Sequence, residues 1–193
     1  IAPVLGLILG SFYNVCIHRY ITEESIVRPP SKCPKCDHLL SWWENIPLLS
    51  FLFLRGRCRH CRVRISLRYP LVEMVSALWA LGLAVQFGLS LAFLIYMAVG
   101  GLLIVAGLID LELFILPAVI VLPGVLIAIL GGSFVLGVGL QDSLLGAGIG
   151  AGFFYLVRLL YKMLRGVEGL GFGDVKLMLL LGGLLGWQAL PAV

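Results

Sequence analysis

Charge is what this chain has least of: Asp, Glu, Lys and Arg make up 12% of its 193 residues, against roughly 25% in an ordinary soluble domain. With 61% hydrophobic residues and a mean hydropathy of +1.07, it cannot cover a water-facing surface with polar groups. That excludes a soluble globular protein and points to an all-α polytopic membrane protein. Residues 1 to 17 are apolar but lack a basic segment ahead of them and an A-x-A-like cleavage site. They therefore read as a first membrane helix and not as a removed signal peptide. The chain begins at Ile1 and stops inside an apolar stretch, and the expectation is that one or both of its ends are missing.

Stretches long enough to cross a bilayer, at about 20 residues per helix, fall near 1 to 17, 71 to 88, 90 to 109, 117 to 137, 143 to 161 and 174 to 193. The expectation is at least six transmembrane helices. Residues 1–17 form the first, 18–70 a polar insert, and 71–193 a transmembrane helical core. Ten of the fourteen Lys and Arg residues lie between Arg19 and Arg68. Beside membrane spans such a basic block marks the cytoplasmic side, with a secondary attraction to anionic lipid, and nucleic acid is not an expected partner. Counting spans from a cytoplasmic insert leaves both outside connections free of Lys and Arg. It also puts Asp110, at the end of the third span, and Asp174, at the start of the sixth, on the same inner face. Asp142 falls on the other side; Glu73, Glu112 and Glu168 are the remaining acids at the inner boundary.

Asp110 and Asp174 sit in apolar surroundings, IDLELFILP and GLGFGDVKLM, where a carboxylate is expensive and usually functional. Two carboxylates brought together share one proton, leaving one base and one acid. That pair can activate water and polarise a peptide carbonyl without a metal. Taken singly, each acid reads as a helix-boundary residue, Asp174 as a cap and Asp110 as a solvated end. Glu112 lies two residues from Asp110, so only one of them can face a shared cavity; Asp110 is nearer the apolar interior. Gly171 and Gly173 flank Phe172 and permit close backbone approach. As a phosphate loop GLGFG is weak, with no preceding strand and an Asp where a P-loop carries Lys.

Cys33-Pro-Lys-Cys36 and Cys58-Arg-His-Cys61 form a C-x2-C, x21, C-x2-C pattern, which suits a closed tetrahedral site of four thiolates. Zinc in a structural role is the expected cofactor, because the insert is too short to build a core of its own. His38 and His60 adjoin the knuckles as possible substitutes, and Cys16 reads as a small core residue. Trp42, Trp43 and the apolar run from Leu48 to Leu54 suggest an insert lying against the membrane surface.

GSFYNVCIHR at 10–19, the two cysteine pairs, NIPLLSFLFLRGRC at 45–58, ISLRYPLVE at 65–73, IDLELFILP at 109–117 and GFGD at 171–174 together resemble the type IV prepilin peptidase family. The resemblance implies a GxGD-type membrane aspartic peptidase of the bacterial inner membrane that also acts as an N-methyltransferase. Its substrate would be a prepilin or pseudopilin of type IV pili or type II secretion, cut after Gly on the cytoplasmic face. It further implies Asp110 and Asp174 as the catalytic aspartates, and methylation of the new N-terminal amine with S-adenosylmethionine. No nucleotide fingerprint or soluble methyltransferase pattern accompanies that second activity. The family commonly has an acid after the proline of its first aspartate motif, whereas here Ala118 follows Pro117.

Glu73, in the YPLVE string, is a candidate for the methyl donor or the substrate amine, with a salt bridge to Arg68 or another inner-face base as an equal expectation. Asn14 and Arg19 are candidates from the first motif, with a helix-packing hydrogen bond and a positive-inside anchor as plainer readings. The alternatives to a prepilin peptidase are a GxGD protease of another substrate class and a non-catalytic zinc-bearing scaffold of pilus or secretion machinery.

Overall fold

The computed structural model describes residues 1–27, 30–167 and 170–192. Its chain divides into two compact units, Ile1–Leu89 and Ser90–Val193. Among the described residues there are helices, turns and two isolated β-bridges, with no strand.

In the first unit α1 (Ala2–Ile21) packs against α3 (Arg68–Phe87), and between them the insert carries a 3-10 turn (Trp42–Asn45) and a short α2 (Leu49–Phe53). Gly6 and Gly10, four apart, lie on one face of α1. A Cβ on Gly6 would run into the Ser76 carbonyl and sit 2.7 Å from the Ala77 Cα; one on Gly10 would sit 2.7 Å from the Glu73 Cα. This is small-residue packing of the kind that lets membrane helices approach backbone to backbone.

The second unit contains α4 (Leu91–Leu113), α5 (Ala118–Phe134), α6 (Leu140–Arg165), α7 (Phe172–Leu185) and a terminal 3-10 turn (Trp187–Ala192). Ser90 starts α4 by accepting a hydrogen bond from the Phe93 amide at 3.3 Å, the usual N-cap arrangement. Phe114 ends it in the left-handed region at φ 55°, its amide donating to the Asp110 carbonyl at 2.8 Å. Pro117, extended, then precedes the first residue of α5. Val99, Ala106, Val121, Val125, Leu180 and Leu184 form a core to which α4, α5 and α7 contribute. The backbones of Gly146 on α6 and Gly182 on α7 meet with no room for a side chain, and Gly132 on α5 faces the Gly183 and Leu184 carbonyls.

Helices occupy all six apolar stretches, but their lengths differ from the uniform spans expected. Four, α1, α3, α4 and α6, are long and apolar enough to cross a membrane; α5, at 17 residues, is shorter. The 14 residues of α7 reach about 21 Å at 1.5 Å per residue, less than a hydrocarbon core of about 30 Å. Gly186, at φ 81°, ends that helix before the chain turns into Trp187. At its other end α1 runs through Ile21, past the apolar limit at 17, because Ile17 and Arg19 are buried.

Gly182→Val should lower the thermal unfolding midpoint in detergent, at a cost of about 1–3 kcal/mol for overpacking. Gly148→Ala, whose Cβ would meet nothing within 4 Å, should leave the midpoint unchanged or slightly raised.

Candidate functional site

The two cysteine pairs are built alike. The Cys33 amide donates to the His38 carbonyl at 2.9 Å and Asp37 donates back to the Cys33 carbonyl at 2.9 Å; Cys58 does the same with Val63 at 2.9 Å and Arg62 at 3.0 Å. Leu40 bonds to Ser31 as Ile65 bonds to Gly56. Asp37 and Arg62, each four residues after the first cysteine of its pair, have positive φ of 52° and 60°. The four sulfurs lie within 4.8 Å of one another, with Cys33 to Cys61 at 3.9 Å and Cys36 to Cys58 at 4.0 Å. A tetrahedral zinc with bonds of about 2.3 Å would set its sulfurs about 3.8 Å apart, so the donor set and its spacing fit such a metal. His38 and His60 are outside this cluster. Their rings stack at 5.4 Å, and His38 Nε2 stands 3.6 Å from Glu44 Oε2.

The electrostatics of the four thiols are uneven. The Cys58 thiol falls to about 6, chiefly because the Cys61 backbone N–H donates to it, with help from the His60 amide against the opposing effect of burial. Cys36 is pushed up to about 12: the His38 amide favours its thiolate, but burial and the neighbouring Cys61, Cys33 and Cys58 thiols outweigh that. Glu44, which nothing in the sequence singles out, is buried beneath the first knuckle. It completes a capping box by accepting from the Ser41 amide at 2.8 Å. Burial opposes its ionisation, yet that amide, His38 and Arg59 hold its carboxyl below the usual range. Trp43 lies under the Arg59 guanidinium at 5.0 Å, while Trp42 is exposed.

Asp110 occupies the last turn of α4 and Asp174 the first turn of α7, both half-buried. Among the described residues neither is tied to a cation. The two helix ends abut the same α4–α5 connection: Leu116 packs on Gly173, where a Cβ would come within 2.7 Å of it, and the Leu116 carbonyl accepts from Lys176 Nζ at 3.3 Å. Two cations lie over the Phe172 ring, Arg158 at 5.1 Å and Lys176 at 5.6 Å from its centre. Gly173 is thus required for close approach. Gly171 is not: its φ is −69° and its nearest neighbours stand 3.8 Å away. Glu112 is exposed. Glu168 lies outside the described residues.

Among the described residues no ion pair joins Glu73 to Arg68. Glu73, 7% exposed, instead accepts the Leu48 amide at 2.8 Å, an amide presented because Leu48 turns the chain at φ 57°. Asn14 makes the expected packing bonds, donating to the Gly10 and Tyr69 carbonyls at 3.2 and 3.0 Å. Arg19 is no exposed anchor: it is 6% exposed and donates to the Ser25 carbonyl. The signal that could have found the Glu73 contact is the Pro47-Leu48 turn, whose amide needs an acceptor once it is turned inward.

Helices of membrane length, with a cluster of four cysteines in the loop after the first, define a multi-pass helical membrane protein with an insert that can bind a metal. Residues 4–87 match the Bacterial Peptidase A24 N-terminal domain and residues 97–193 match the Type IV leader peptidase family, a division that follows the two structural units. A prepilin leader peptidase/N-methyltransferase of Pseudomonas putida is 39% identical over 213 residues, covering 99% of this chain and 74% of that protein. Those of Burkholderia pseudomallei and Myxococcus xanthus are 40% and 44% identical, covering 100% and 98% of this chain and 70% and 57% of their own. No solved structure matches. The chain belongs to the type IV leader peptidase family.

Because Cys36 is still protonated at neutral pH without metal, metal binding must release at least one proton. Zinc affinity, read by competition with a chelator, should fall about tenfold per pH unit for each proton released as pH is lowered. Glu44 acts in the same direction: its depressed pKa contributes stability above the unfolded value, and that is lost as pH falls through the folded one. Cys58→Ser should release the metal and loosen the insert, which metal analysis and proteolysis would report.

Proposed function

We propose that this chain removes the leader of type IV prepilin-like proteins and methylates the new N-terminal amine. What carries the reading is a match along nearly the whole chain to relatives named for both activities, together with two aspartates at helix ends that abut one connection. Asp110 and Asp174 are the catalytic pair. Held close in a medium of low dielectric, they ionise together only at high cost, so one remains a base and the other keeps a proton. The base takes a proton from water while the protonated partner polarises the scissile carbonyl. Gly173 lets α7 seat against Leu116, and Lys176, anchored on the Leu116 carbonyl, holds the connection that both helix ends share. Glu112 and Gly171 support the site from its rim.

The six main helices all cross the bacterial inner membrane, the two shortest within the bundle, and the basic insert and both aspartates face the cytoplasm. That orientation is supported by the concentration of Lys and Arg between Arg19 and Arg68. Zinc bound by Cys33, Cys36, Cys58 and Cys61 is structural, since four thiolates leave no open position. S-adenosylmethionine, when bound, supplies a methyl group activated by its sulfonium. Ala118, on the first turn of α5, is exposed and stands outside the catalytic pair.

Asp110→Asn and Asp174→Asn should each lower leader cleavage by about 10²–10⁴-fold, the range for a lost general acid or base. Cleavage of a prepilin-like substrate in lipid, followed by the product's N-terminal mass, measures this. Wild-type activity retained in either variant would refute the assignment, and a wild-type protein that cuts no such substrate would leave a scaffold.

A further inference from the structure

Three exposed arginines of the insert, Arg55, Arg57 and Arg62, converge with Phe53 and Leu54 on a cavity of about 420 Å³. Among the described residues no carboxylate lies within ion-pair distance of any of the three. Like charges gathered around one cavity repel each other, and an anion placed among them removes that repulsion. Guanidinium groups match a phosphate best, through paired N–H donors.

The backbone that builds this cup is not the easiest one for arginine. After α2 ends at Phe53, Arg55 and Gly56 take φ of 52° and 63° and turn the chain back, so that the Arg57 amide donates to the Leu54 carbonyl at 3.1 Å. Arg62 has φ of 60° as its amide returns to the Cys58 carbonyl at 3.0 Å. Gly and Asn occupy the left-handed region at lower cost. Two of the three positions therefore hold an arginine where local conformation alone favours another residue, and strain of this kind is a mark of ligand sites.

Beside the cup stands an apolar ridge. No residue of α2 is buried; Leu52 and Phe53 are 68% and 80% exposed, and Trp42 on the neighbouring 3-10 turn is 80% exposed. Exposed apolar side chains rimmed by basic ones are the pattern of a helix lying in a membrane surface. The ridge is also held at a suitable depth. Leu48, immediately before α2, donates its amide to Glu73 at 2.8 Å, and Glu73 lies about 7.5 Å along α3 from Arg68, at 1.5 Å per residue. Both α1 and α3, to which the insert is tied, are long and apolar enough to cross a membrane, so a bilayer surface is within reach of it.

We propose that cup and ridge form a discrete site for one anionic phospholipid, its phosphate held by Arg55, Arg57 and Arg62 and its acyl chains beside Leu52 and Phe53. This is more specific than the attraction of a basic loop to an anionic membrane, because it assigns the headgroup to three side chains and leaves the other cations of the insert out. It involves neither the aspartates nor the four thiols, and it stands or falls independently of the peptidase reading.

The full chain, zinc-loaded, is placed in discs of dioleoylphosphatidylcholine containing a small fraction of phosphatidylglycerol with a photoreactive group near its headgroup, and the labelled fragment is identified after irradiation. The label should fall within residues 49–62. A phosphatidylcholine probe at the same fraction should label that stretch several-fold less. Combining Arg55→Gln, Arg57→Gln and Arg62→Gln should lower the phosphatidylglycerol label about tenfold or more, since each basic residue at an anionic surface is worth roughly a factor of five. Combining Lys35→Gln, Arg59→Gln and Arg64→Gln removes the same charge outside the cup and should leave most of the label. Zinc content and thermal midpoint check that each variant is folded, and Leu52→Ser with Phe53→Ser, which leaves the arginines in place, should also reduce the label. Label concentrated outside residues 49–62, equal labelling by the two probes, or equal loss in the two triple variants overturns the proposal. Displacement by millimolar glycerol phosphate in the buffer would make the cup a site for soluble phosphates, and the lipid assignment fails.

Discussion

Lipid tails are as apolar as leucine, so helices in a bilayer gain little by hiding side chains from them; what holds them together is close van der Waals approach. In this protein that approach is made at glycine. Gly6 and Gly10 bring α1 onto α3, Gly146 and Gly182 bring α6 onto α7, and Gly173 seats the start of α7 on Leu116. Each contact leaves no room for a methyl group, and two of them position something chemical: Glu73 faces Gly10, and Asp174 follows Gly173. The placement of these polar groups is therefore a by-product of how tightly the apolar ones pack.

Each unit has its own polar chemistry. Ile1–Leu89 holds the cysteine cluster, the buried carboxylate Glu73 and a cavity; Ser90–Val193 holds the two aspartates at helix ends. The family matches divide at nearly the same place. A chain proposed to perform two reactions in succession on one substrate thus has two sets of ionisable groups, each solvated and pre-organised by its own helices.

The features legible in the sequence are those with local causes. Two C-x2-C knuckles announce their cluster because each knuckle is closed by hydrogen bonds within its own short stretch of chain, and the apolar runs announce helices because hydropathy is a local sum. Helix length is less legible. Hydropathy marks where the chain is apolar, but α1 continues through His18 and Arg19 because the buried Arg19 donates to the Ser25 carbonyl, and α7 stops early at Gly186 because the chain there takes a positive φ. Glu73 shows the same limit. Its neighbour in sequence, Arg68, is the obvious partner on paper, but the groups that bond to it are an amide twenty-five residues upstream and the Ser11 hydroxyl on α1. Glu44 is silent in the sequence because its burial depends on a capping box and a histidine from the other side of the knuckle.

That amide, on Leu48, also divides the insert. A loop tied only where α1 ends and α3 begins would close as one long excursion. With its middle pinned to the base of α3, it becomes two consecutive short loops, the first carrying Cys33 and Cys36 and the second Cys58 and Cys61. Closure entropy changes only slowly with length, so the pin matters less for its direct contribution than for the partition it imposes. Each half closes around its own knuckle, and a metal held by the four thiolates would join two formed halves like a rivet.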